Sequence, residues 1–356
     1  MGALASGTGY APDLDQSTEP SVSTGRLRAA SPAAIWAGLF TLYFVWGSTY
    51  IGIKVSVETI PPFLMASVRF LIAGAILLAW EVVATRRLRA DPDLPPDERP
   101  TMPSRREWRD SAIVGGALLL GGMGMVAVGE KTVSAGIAAI LIALLPVWVA
   151  VFGRVFFGER LPVAAVVGIV VGLAGVILLV GPFASGGEAR LDPFGILCLL
   201  ISPMCWGAGS LYSSHLATLP RRPLTATGLQ MLCGGLLLGL GALVTGEVAT
   251  FDPAAVSTRS LVALIYLTTI GSLVGFTTYV WLLRVAPLPR IATYAYVNPV
   301  VAFILAGILL GEAIEPRTVI AGAIIVFAVA LIVTARSRTD GRSATQPGVA
   351  AAAYPD

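Results

Sequence analysis

Ten apolar runs of about twenty residues, separated by short polar connections, leave this chain very few folds. They fall at roughly 33–53, 61–84, 110–129, 135–157, 162–181, 193–216, 225–246, 259–283, 290–310 and 316–336. At a rise of about 1.5 Å per residue, each run as a helix matches the ~30 Å hydrocarbon core of a bilayer. Inside lipid, every backbone N–H and C=O must be satisfied within the segment, which makes spanning runs of this length helices. The expected fold class is an all-α polytopic membrane protein with ten transmembrane helices. Composition agrees: 56% of the 356 residues are apolar and 13% are charged, against about 25% charge in a soluble domain.

Several boundaries carry start signals. Ser31-Pro32, Asp192-Pro193 and Glu315-Pro316 put proline at the first helical position, the first two behind good N-cap residues. Ser104-Arg105-Arg106-Glu107 has the spacing of a capping box. Basic residues set the orientation. With the N-terminus inside, only Lys54, Lys131, Arg190, Arg259 and Arg317 face out, Arg69 lies within a span, and all other lysines and arginines face the cytoplasm. Both termini are thus expected in the cytoplasm. Residues 1–32 and 337–356 read as disordered cytoplasmic tails, and 85–109 as a Pro- and Arg-rich cytoplasmic loop. The first apolar run is not read as a cleavable signal peptide, being about twenty residues long and followed by nine of its kind.

The chain also repeats itself. Pro146 and Pro299 each sit midway along an apolar run, and each run closes on Gly-Glu, at Gly158-Glu159 and Gly311-Glu312. Trp46-Gly47 is echoed by Trp206-Gly207, and Lys131 by Arg284. The division is a first repeat over 33–182 and a second over 192–336, five helices each. An odd number per half makes the halves insert in opposite senses. Inverted repeats with matching helix breaks are the signature of a transporter working by alternating access.

A proline inside a helix frees the carbonyl four residues earlier, here those of Ile142 and Ala295. Two such breaks at equivalent midplane positions favour a hydrated cavity between the fourth and ninth helices, although kinks for packing would also use proline. Arg290, Tyr294 and Asn298 recur at four-residue spacing on the ninth helix and should share a face. Arg69 lies about 12 Å into the membrane and is suited to a carboxylate or phosphate; the alternative is that it binds neighbouring carbonyls. Its approximate counterpart in the second repeat is Gln230. Trp46 and Tyr50 on the first helix, Trp206 on the sixth and Tyr279 on the eighth could complete an aromatic lining, with packing the competing role for each. The candidate solute-binding set is therefore Arg69, Trp46, Tyr50, Pro146, Trp206, Gln230, Tyr279, Tyr294, Asn298 and Pro299. Gly168, Gly172 and Gly175, with Gly235 and Gly239, read as close helix packing. Glu159 and Glu312 read as capping or ion-pairing residues.

Other classes find little support. No phosphate-binding Gly-Lys loop occurs, so ATP hydrolysis is not expected. No catalytic group, metal cluster or cofactor motif stands out, the three cysteines lie in apolar runs, and the single histidine, His215, has no visible partners. The net charge of +3 gives no reason to invoke nucleic acid. No Asp or Glu occupies the middle third of any span, with Glu81 and Glu130 near ends, so a proton relay has no obvious carboxylate. The expected partners are a small-molecule solute and the lipid bilayer, with a homodimer left open. The alternatives to a transporter are a facilitative pore and a membrane sensor or scaffold without transport.

Trp46-Gly47-Ser48-Thr49-Tyr50, Ala66-Ser67-Val68-Arg69-Phe70 after Pro61-Pro62, and the run from Ala292 to Val301 resemble the EamA-type transporters of the drug/metabolite transporter superfamily. The similarity is greatest to YedA-like inner-membrane members and spans about 33–336. It implies two inverted five-helix EamA repeats in the inner membrane, carrying small metabolites or drugs, often outward.

Overall fold

The computed structural model describes residues 31–90, 101–180, 192–286 and 288–344. The N-terminal tail, the middle of the 85–109 loop, the connection at 181–191 and the end of the C-terminal tail lie outside the described residues. Within them, every regular element is helical. The long helices are α1 (Pro32–Ser56), α2 (Pro62–Ala90), α3 (Arg105–Gly129), α4 (Ala135–Phe157) and α5 (Val163–Val180), then α6 (Pro193–His215), α7 (Pro223–Val244), α8 (258–285), α9 (Tyr294–Leu310) and α10 (Pro316–Ala344). Eight of these are long and apolar enough to cross a membrane; the apolar stretches in α5 and α9, Val163–Leu179 and Tyr294–Leu310, are shorter.

Local chemistry starts the helices where the sequence says. Ser31 Oγ accepts from Ala34 N at 3.2 Å, and Asp192 accepts from the N–H groups of Phe194 and Gly195. Ser104 and Glu107 form the full capping box, so α3 starts at Arg105, five residues before its apolar run. At the other limits, α2 and α10 run on to Ala90 and Ala344, past the expected 84 and 336. Hydrophobicity marks where lipid ends, and an arginine-rich helix can continue beyond it because Arg is a good helix former.

Glycine and proline shape the bundle. Gly158 and Gly311, 153 residues apart, both close their helices with φ of +67°, a left-handed conformation that a side chain would strain. The breaks associated with the two prolines do not match as expected. In α4 the chain unwinds at Ala143–Leu144, and Pro146 sits in the first turn of the piece that follows. In the second half it unwinds at Ala292–Thr293, after the one-turn helix Leu288–Ile291, and Pro299 lies inside a continuous helical stretch. The symmetric irregularity lies elsewhere: α3 and α8 both widen into π-helical turns, at Gly116–Gly124 and Leu267–Val274.

Two helix pairs pack intimately, α2 on α7 and α5 on α10. Gly168 and Gly175 face α10 so closely that a Cβ would lie 2.6 Å from Ile332 and 2.7 Å from Ile325. Gly235 takes the same role against Leu71 of α2, and Ser67 Oγ donates to the Gly235 carbonyl at 2.8 Å. Small residues thus bring backbones together, as in other membrane bundles. Large apolar side chains such as Phe44, Trp80, Phe156 and Ile308 face outward, the reverse of a soluble protein and the arrangement lipid favours.

Candidate solute-binding cavity

Between the halves lies a cavity that takes in about 800 Å³ of space, its open mouth included. Helix α1 contributes Trp46, Thr49, Tyr50 and Ile53, and α2 contributes Arg69 and Phe70. Opposite them, Ser202, Pro203 and Trp206 come from α6, and Tyr294 and Asn298 from α9. Met123 and Val126 of α3, Ile142 and Leu145 of α4, and Phe276 of α8 close the wall.

The repeated Trp-Gly pair has a physical meaning here. Trp46 and Trp206 both line the cavity. Gly47 lets α9 approach, its Cβ position lying 2.7 Å from Val301, while a Cβ at Gly207 would meet α4 at ordinary contact, 3.4 Å from the Val149 nitrogen. In each half, the tryptophan forms wall and its glycine neighbour faces a helix of the other half. Trp46 is held in an aromatic cluster, edge-on to Phe276 at 5.7 Å and Tyr294 at 5.0 Å, with Tyr279 at 5.4 Å. Such contacts favour flat, apolar guests.

Arg69 is 3% exposed. Its Nε donates to Ser272 Oγ at 2.9 Å, and its guanidinium carbon sits 4.8 Å from the centre of the Phe70 ring. Ser272 belongs to the π-helical stretch of α8, and neighbouring Gly271 leaves room for Nη2, which a Cβ would meet at 3.3 Å. Among the described residues no carboxylate pairs with Arg69. Asn298, 7% exposed, presents an Oδ1 with no hydrogen-bond partner. The cavity therefore offers one unneutralised cation, one spare acceptor and an aromatic wall, which together suit an anionic group, a donor and an apolar body.

Six of the ten expected residues line this space: Trp46, Tyr50, Arg69, Trp206, Tyr294 and Asn298. Tyr279 stands behind the wall against Trp46 and Tyr294. Gln230 does not join the lining, and its backbone carbonyl faces Gly115 of α3, so the repeat relation to Arg69 does not extend to the cavity. Pro146 and Pro299 lie beside Leu145 and Asn298 without joining the lining. Arg290 does not share a face with Tyr294 and Asn298, because the turn at Ala292–Thr293 interrupts the helix and leaves Arg290 exposed. Thr293, which bonds Tyr43 and the Arg290 carbonyl, fixes that turn. Pro203, a proline inside α6, joins the lining, a role its place in an apolar run does not reveal. His215 does have partners, stacking on Phe157 at 4.2 Å with Nε2 3.6 Å from Glu159.

Polar ties close both ends of the bundle. At the end carrying Lys54, its ammonium donates to the carbonyls of Glu130 at 2.6 Å and Val133 at 2.9 Å. Glu312 accepts from Ala135 N and Gly136 N at 2.7 and 3.0 Å, so the capping role expected of it is played across the two repeats. At the other end Glu81 pairs with Arg222, and Asp110 accepts from Tyr212 and from Thr218 N. Among the described residues no three His, Cys, Asp or Glu side chains are grouped to hold a metal ion.

The model of the EamA-like transporter family matches the chain twice, over residues 32–181 and 193–334. The uncharacterized inner membrane transporter YedA of Escherichia coli (strain K12) is 38% identical over 300 residues, covering 84% of this chain and 90% of that protein. A chloroplastic WAT1-related protein of Arabidopsis thaliana is 25% identical across 83% of this chain and 69% of its own length. A crystal structure of a protein 23% identical superposes with a TM-score of 0.55, over 87% of this chain and 99% of that one, a likeness of fold alone.

Proposed function

The chain belongs to the EamA-like transporter family, and from that premise we propose that it is a secondary inner-membrane exporter of small organic solutes bearing an anionic group. The observation that carries the solute class is Arg69, buried and unpaired by any described carboxylate in the wall of an aromatic cavity. Charge-assisted bonds from guanidinium to carboxylate or phosphate are among the stronger polar contacts available. The Asn298 acceptor adds a place for an N–H or O–H of the solute.

In this reading the chain spans the membrane ten times, as two inverted five-helix repeats, with both termini in the cytoplasm. The paired Trp-Gly contacts and the shared left-handed glycines Gly158 and Gly311 support the internal symmetry. Alternating access follows when the polar ties at one end release while those at the other hold. Reporter fusions after Arg336 and within 85–110 should report cytoplasm, and one within 247–258 the opposite side. A cytoplasmic signal from 247–258 would remove the inverted arrangement.

The functional test is counterflow in proteoliposomes with radiolabelled aromatic carboxylates and their neutral amides. Saturable exchange of carboxylates, with amides much slower, is the expected result. Flux that rises linearly with concentration would replace the transporter by a pore. Equal saturable rates for acid and amide would remove Arg69 from solute recognition.

A further inference from the structure

Glu130 is the residue that the cavity and its proposed solute leave unexplained. It follows directly on the Arg105–Gly129 span, yet it is 0% exposed, and neither carboxyl oxygen has a hydrogen-bond partner. Lys54 does not relieve it, because the ammonium donates to the carbonyls of Glu130 and Val133 instead of to the carboxyl group. A carboxylate stripped of water and given no donor is a high-energy species, whereas the neutral acid is not.

We propose that Glu130 is a proton-binding site: it holds a proton while the Lys54 end of the bundle is closed and releases it when that end opens to water. The step is proton transfer alone, carboxyl to water on opening and water to carboxylate on closing.

Three groups of observations support this assignment. First, the charged and titratable neighbours come from every element around it: Tyr50 and Lys54 from α1, Lys131 beside it, Asp192 at the start of α6 and Glu312 ahead of α10. Asp192 is occupied by Thr132 Oγ1 at 2.7 Å and the N–H groups of α6, and Glu312 by the N–H groups of α4. Burial pushes the Glu130 carboxyl well above its ordinary range, Lys54 pulls it down and Glu312 pushes it up. Second, Glu130 sits where this end of the bundle is tied, Lys54 of α1 holding the carbonyls of Glu130 and Val133 and Glu312 holding the first N–H groups of α4, so opening there would hydrate it. Third, Lys54, which donates to the Glu130 carbonyl, follows directly on the α1 segment whose Trp46, Thr49, Tyr50 and Ile53 line the cavity. The proton site and the solute site therefore share a helix. Glu130 lies at the end of its span, as its position in the sequence implies, and its full burial is what the sequence does not show.

The sign follows from the raised value. Protonation favours closure fully below the ordinary glutamate range, about 4.3, and that contribution is lost as pH rises through the raised value. The site concerns opening at one end and does not depend on which solute is carried. The test uses full-length protein in nanodiscs without solute. Infrared difference spectra across a pH titration should show the C=O stretch of a protonated carboxyl group that disappears at high pH and is missing in Glu130→Gln. Hydrogen exchange, corrected for its intrinsic pH dependence, should show amides in 50–56 and 129–136 losing protection over the same pH interval in the wild type. Glu130→Gln, a permanent mimic of the protonated acid, should stay protected throughout. A wild-type protein with pH-independent protection here, or a Gln variant that keeps the wild-type profile, would overturn the assignment. Should the variant not fold, the wild-type infrared titration still decides: absence of the band at neutral pH, where ordinary carboxyl groups are ionised, refutes a protonated Glu130.

Discussion

Replacing Arg69 by leucine should abolish saturable flux of anionic solutes while leaving a folded protein at least as stable as the wild type. A solute carboxylate facing Arg69 is a buried charge pair, and truncating one member of such a pair costs about 2–5 kcal/mol. At about 1.4 kcal/mol per tenfold, affinity should fall about 30-fold to a few thousand-fold. Folding should not suffer in proportion. In the empty protein Arg69 is a desolvated cation whose only hydrogen bond to a side chain among those described goes to Ser272, and replacing a buried charge with an apolar group of similar size is often neutral or stabilising.

Arg69→Lys should fall between the two. Lysine keeps the charge but not the planar fork that grips a carboxylate with two parallel bonds. The measurements are the concentration dependence of counterflow and the thermal midpoint in detergent. Wild-type affinity in the leucine variant would remove Arg69 from the solute site. Loss of the folded protein in both variants would instead assign Arg69 to holding α2 against Ser272 and Gly271 of α8.

What could be read from the sequence divides along a physical line. Helix starts were legible because an N-cap acts through its own side chain on backbone two or three residues away, as at Ser31, Ser104 and Asp192. The aromatic members Trp46, Tyr50 and Trp206 were legible because a repeated Trp-Gly pair is visible without coordinates. The unwinding at Ala143–Leu144 and Ala292–Thr293 was not, because it depends on what the neighbouring helices offer. Tyr43 secures Thr293 from 250 residues away. The π-helical stretches of α3 and α8 carry no residue signature, and they change the helix face from that point on. Beyond the π-helical stretch of α8, Phe276 reaches the cavity and Tyr279 packs against Trp46. The burial of Glu130 is hidden for a related reason. Distance along a span measures depth in the membrane, whereas burial depends on what the other helices place against the residue.

The glycines of α3 show the same limit and provide the sharpest structural test, since two neighbours identical in sequence terms should respond in opposite ways. A Cβ on Gly115 would lie 2.4 Å from the Gln230 carbonyl oxygen and 3.0 Å from the Gly234 nitrogen, backbone atoms that cannot turn aside. Gly115→Ala must therefore push α3 away from α7, and overpacking of this kind costs about 1–3 kcal/mol or more. Because α3 carries Met123 and Val126 to the cavity wall, flux should fall together with the thermal midpoint. Gly234→Ala should behave alike, as its Cβ would lie 2.7 Å from the Gly115 carbonyl. At Gly116 the nearest atom is the terminal Cδ1 of Leu237 at 3.0 Å, the end of a flexible side chain. There alanine should be neutral or stabilising by up to about 1 kcal/mol, the helix-propensity difference from glycine. Thermal unfolding of the three single variants in one detergent decides the matter. A wild-type midpoint for Gly115→Ala, or an equal loss in Gly116→Ala, would show that α3 and α7 do not cross as closely as the structure has them.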